Sequence, residues 1–115
     1  MTTPVTWIAI GALADIPPRG ARTVTTRDGE IAVFRTAADE VYALYNACPH
    51  KGGPLAQGIV HGRAVTCPLH NMVFDLATGE AGGEEKACAR TAPVRLEGDR
   101  ILLGLSAEAL GVRAA

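Results

Sequence analysis

Two short stretches gather the residues best able to hold a metal. Cys48-Pro49-His50 is followed, after sixteen residues, by Cys67-Pro68-Leu69-His70. Each half offers one thiolate and one imidazole beside a proline. Brought face to face, two such loops supply a set of two sulfurs and two ring nitrogens. Those donors suit zinc or an iron–sulfur centre. Mixed zinc sites usually keep both cysteines in one knuckle and both histidines in one arm. Here each half mixes the two types. A two-iron centre in which one iron takes both sulfurs and the other both imidazoles needs such mixing. Gly52 and Gly53, beside the first half, let backbone N–H groups approach sulfur closely. A zinc-stabilised structural domain stays as the alternative.

The remaining candidates carry less. His61 lies in Val60-His61-Gly62-Arg63, which reads as a solvated turn. Cys88 has no histidine near it and reads as a small filler or loop residue. Three cysteines is an odd number for a disulfide framework, which points to metal ligation in a reducing compartment. No G-x-G-x-x-G follows a strand, and no nucleophile or acid–base constellation is visible, so no catalytic residue is assigned. A net charge of −1 argues against a nucleic-acid partner. The uncharged start, Met1 to Ala14, is too short and mixed to span a bilayer and has no basic leader. A cytoplasmic protein without a membrane partner is expected.

These loops need a frame. The chain has 115 residues, which fits one domain, 1–115. Short β-branched segments recur between glycines and prolines, at 6–10, 22–26, 31–35, 41–45, 64–66, 72–75, 94–97 and 100–103. Asp28-Gly29 and Gly98-Asp99 read as two-residue hairpin turns. The fold expected is all-β, an antiparallel sandwich or barrel. Residues 46–75 read as a small cluster-bearing lobe, inserted in a β base formed by 5–45 and 76–105. Residues 11–16 allow one helical turn, 79–85 an exposed loop, and 106–112 a short final helix. Trp7, Phe34 and Phe74 are assigned to the core, and Tyr42 and Tyr45 to opposite faces of one strand.

Cys48-Pro49-His50-Lys51-Gly52-Gly53 and Cys67-Pro68-Leu69-His70-Asn71 resemble the two boxes of the Rieske [2Fe–2S] family. The likeness continues through Gly53 to Gly58, Phe74 to Ala81 and Cys88 to Arg95. Taken together, these stretches resemble the small subunit of assimilatory NAD(P)H nitrite reductase. That resemblance implies a Rieske-like β fold and a [2Fe–2S] cofactor. It implies Cys48 and Cys67 on the inner iron, with His50 and His70 on an outer iron facing solvent. It further implies a large partner subunit holding flavin, [4Fe–4S] and sirohaem, which would reduce nitrite to ammonium. The alternative within the same family is a stand-alone ferredoxin feeding a ring-hydroxylating dioxygenase. Lys51, directly after His50, reads as a solvated lysine, with a charge that steers a redox partner as the functional alternative.

The high-potential members of the family carry an extra cysteine in each box, joined as a disulfide. Gly53 and Leu69 stand at those positions. Those members also carry a serine and a tyrosine whose hydroxyls bond the sulfurs. Met72 and Phe74 stand there instead. Hydrogen bonds to sulfur stabilise the reduced form, so their loss places the potential near the low end of roughly −150 to +300 mV. The first check is colour: the purified protein should absorb visible light and contain iron and sulfide. A colourless protein holding one zinc would establish the alternative.

Overall fold

The computed structural model describes residues 5–27, 29–47, 54–68, 72–81 and 88–106. They form ten strands in three antiparallel sheets. β1 (Thr6–Ala12), β9 (Val94–Glu97) and β10 (Arg100–Leu105) make the first sheet, in the order β1-β10-β9. β2 (Ala21–Thr26), β3 (Gly29–Arg35), β4 (Val41–Tyr45) and β8 (Thr91–Ala92) make the second, in chain-number order. β5 (Ile59–His61), β6 (Ala64–Thr66) and β7 (Val73–Asp75) make the third. The only helical elements among the described residues are 3₁₀ turns at Leu13–Asp15 and Leu55–Gln57. The all-β, Rieske-type expectation is met.

The second sheet lies between the other two. Ile31, Ala32, Val33 and Phe34 of β3 are all fully buried. Successive side chains on a strand point to opposite faces. Ile31 and Val33 therefore join Ile16, Ala43, Ala92, Ile101, Leu103 and Leu105 in one apolar cluster. Ala32 and Phe34 join Leu44, Leu55, Val60, Val65, Cys67 and Phe74 in the other. An unbroken apolar run is the expected signature of a strand covered on both sides. The two tyrosines of β4 follow the same rule. Tyr42 packs on the cluster that holds Cys67, and Tyr45 packs on the other.

Some expectations need correction. Trp7 is not core: it is 37% exposed, and the Arg95 guanidinium stacks over its ring at 4.4 Å. Its partner across the ladder is Gly104, which gives the indole no side chain to pack on. His61 is not in a turn but ends β5, and the turn falls on Gly62 and Arg63. Gly29 already pairs with Thr26, so the first hairpin turns one residue earlier than the Asp28-Gly29 reading. β5 and β8 span three and two residues, too few to show a period in sequence. The turn at Leu13–Asp15 appears as expected, while the final helix falls almost wholly outside the described residues.

Phe74 ties the small sheet to the middle one, with no surface exposed. Replacing it by alanine leaves a cavity and removes apolar contact, at a cost of about 3–5 kcal/mol. Urea unfolding of Phe74→Ala should show a midpoint well below that of the parent; an unchanged midpoint would show that the two sheets do not depend on this ring.

Candidate metal centre

Cys67 is the one predicted ligand inside the described residues. It follows β6 directly and is a free thiol with no exposed surface. Val65 is buried and Thr66 half-buried, so strand alternation carries the Cys67 side chain to the inner face. There it joins Phe34, Leu44, Leu55 and Phe74. The Cys67 N–H donates to the Met72 carbonyl at 2.7 Å. That bond extends the β6–β7 ladder one step beyond the Thr66–Val73 pair. It brings together the two ends of the segment between Cys67 and Met72. His70 lies outside the described residues.

Cys48 and His50 also lie outside them, but both feet of their segment are described. The outgoing foot is Asn46-Ala47, directly after β4. The returning foot is Pro54 and the turn Leu55–Gln57. Leu55 is fully buried in the same apolar cluster as Cys67. One core thus holds the return of the first box and the start of the second. Asn46 bonds both feet. Its Nδ2 donates to Glu30 Oε1 at 2.6 Å, and its Oδ1 accepts the Ala56 N–H at 2.7 Å. Neither Asn46 nor Glu30 is marked in the sequence, because an asparagine after a strand reads as ordinary turn chemistry.

The sites set aside stay apart from this one. His61 Nε2 lies 2.7 Å from Thr66 Oγ1 on the exposed face of the small sheet, the face opposite Cys67. Cys88 is exposed, its thiol near the Thr78 and Ala89 carbonyls at 3.8 and 3.6 Å. Among the described residues no cluster of three or more metal-binding side chains occurs, since three of the four predicted ligands lie outside them. Cys67 nevertheless suits a sulfur ligand. It is buried and has no disulfide partner, and the apolar cluster around it would keep water from a metal–thiolate bond.

A family model for the Rieske [2Fe–2S] domain matches residues 6–94. The chain belongs to the Rieske [2Fe–2S] family. It carries the cluster-binding domain of that family. The ferredoxin component of the naphthalene 1,2-dioxygenase system of Pseudomonas aeruginosa is 36% identical over 106 residues, which is 87% of this chain and 96% of that protein. The ferredoxin of carbazole 1,9a-dioxygenase from Nocardioides aromaticivorans superposes with a TM-score of 0.76 at 28% identity, over 91% of this chain and 100% of the other. A chain from Mycobacterium tuberculosis assigned as an NADH-dependent nitrite reductase small subunit superposes with a TM-score of 0.78 at 24% identity, over 96% and 97%.

The expected identity with a nitrite reductase small subunit is therefore corrected. The likeness at 24% identity shows a shared fold only. The near-full-length sequence match is to a dioxygenase ferredoxin component, and further components of that kind match too. The large sirohaem subunit, nitrite reduction and nitrate assimilation fall with that identity. The structure shows why the sequence misled. Phe74 is core, and Asp75 Oδ1 accepts the N–H groups of Ala77 and Thr78 at 2.8 and 3.1 Å. Gly79 holds φ at +80°, where an added Cβ would strike the Ala89 carbonyl. The Phe-Asp and Thr-Gly elements build a turn of the fold and specify no partner.

Cys67→Ser should bleach the visible spectrum and release iron, while Cys88→Ser and His61→Ala should keep both. Absorbance and iron content of the three purified variants decide this; a coloured Cys67→Ser protein would overturn the role given to Cys67.

Proposed function

We propose that the chain is a stand-alone Rieske ferredoxin, the non-catalytic electron carrier of a ring-hydroxylating oxygenase system. One observation carries the reading: the match to a dioxygenase ferredoxin component over nearly the whole of both chains. In such a system hydroxylation is the work of a separate terminal component. Cys48, His50, Cys67 and His70 would hold the cluster. A bound [2Fe–2S] cluster supplies one-electron redox chemistry. This chain's own residues do the rest. Cys67 presents its sulfur from the dry interior of the small sheet. The Cys67–Met72 bond joins the two ends of the second box. Residues 46–75 act as the cluster lobe on a base of 5–45 and 76–105, within one domain.

The same reading places the potential low in the family range. Met72 is half-buried against the Cys67 cluster and Phe74 fully buried, and neither offers a hydroxyl to sulfur. Cys88, an exposed cysteine without a disulfide, fits a reducing cytoplasm, where an NAD(P)H-linked reductase supplies electrons. No helix of the described residues is long and apolar enough to cross a membrane.

Two measurements test the function. Spectroelectrochemical titration should give a midpoint in the lower half of roughly −150 to +300 mV. Stopped-flow mixing of the reduced protein with an oxidised ring-hydroxylating oxygenase should show fast reoxidation. Cys48→Ser and His70→Ala should show no signal in either experiment. A coloured Cys48→Ser protein would remove Cys48 from the ligand set, and no electron delivery to any oxygenase of this class would overturn the proposed partner.

A further inference from the structure

The 3₁₀ turn Leu55–Gln57 starts behind Pro54, which offers no side-chain acceptor for the turn's first N–H groups. A residue ten positions earlier supplies it. Asn46 Oδ1 accepts the Ala56 N–H at 2.7 Å, in a partly buried bond. The same amide donates from Nδ2 to Glu30 Oε1 at 2.6 Å, and the Asn46 backbone N–H donates to the Glu30 carbonyl at 2.7 Å. One side chain therefore joins three places: the start of β3, the exit from β4 and the return of the first box. The bond to a carboxylate is of the stronger, charge-assisted kind.

We infer that Asn46 is a positioning residue, clasped by Glu30, that holds the two feet of the Cys48–His50 segment together and so governs how firmly the cluster is retained. The inference rests on the ligand reading above. It goes beyond it by naming two residues that touch no iron. Fixed feet leave the segment less to reorder when metal arrives, so the bound state is favoured.

The chemistry of the pair provides its own test. Asn46→Asp keeps an acceptor for Ala56 but sets a carboxylate against Glu30. Adding Glu30→Gln returns a donor to the gap with its polarity reversed. In a chelator challenge followed by visible absorbance, Asn46→Ala and Asn46→Asp should lose the cluster faster than the parent. The double variant N46D/E30Q should recover most of that difference. Hydrogen exchange at the Ala56 amide should quicken in Asn46→Ala, whether or not iron is bound. Equal cluster lifetimes in parent and Asn46→Ala would overturn the clasp, as would a double variant no better than Asn46→Asp. Should Asn46→Ala not fold, the Asp and double variants decide alone. A parent chain that never takes up a cluster would sink the ligand reading instead; Ala56 exchange in the metal-free protein then decides the clasp, an unchanged rate counting against it.

Discussion

The middle sheet has to serve two interiors at once, and the rest of the molecule follows from that requirement. A strand has only two faces. β3 fills both with apolar side chains, and its four central residues leave no surface to water. On one side the first sheet closes over Ile31 and Val33. On the other the small sheet closes over Ala32 and Phe34, and brings Cys67 with it. Cys67 is thus seated against a strand whose four central residues are fully buried. Its position is fixed by packing that no loop could supply.

Much of this was legible in the residues. Val-, Ile- and Thr-rich segments between glycines mark β1 to β4, β6, β7, β9 and β10 within a residue or two at most ends. Gly98-Asp99 marks its turn, with Gly98 at a φ of +62°. The opposite facing of Tyr42 and Tyr45 follows from strand period alone. Other features were not legible, for physical reasons. A three-residue strand such as Ile59–His61 carries no measurable alternation. Asn46 acts across ten residues of chain, and no local pattern announces it.

The site shows the same division. The Rieske family and its cluster were legible from two short Cys–His stretches, because a metal tolerates few arrangements of sulfur and nitrogen. The partner is a different matter. Asp75 caps two N–H groups, and Gly79 takes a positive φ where a Cβ would strike the Ala89 carbonyl. Any protein with this turn needs residues of that kind, whatever it delivers electrons to. Short motifs around a cofactor record the fold's demands first. Partner identity is spread over a surface, and whole-chain similarity senses it better than motifs do.

The division of the interior into two has an evolutionary corollary. Ile101, Leu103 and Leu105 share their cluster with one face of β3, while Cys67 and Leu55 belong to the other. Side chains separated by a sheet backbone have few contacts through which to couple, so their energetic effects add. Drift on the far side can therefore raise or lower thermal tolerance without retuning the redox end. Natural selection can adapt such a protein to a warmer or colder host by one set of residues, and leave the other untouched.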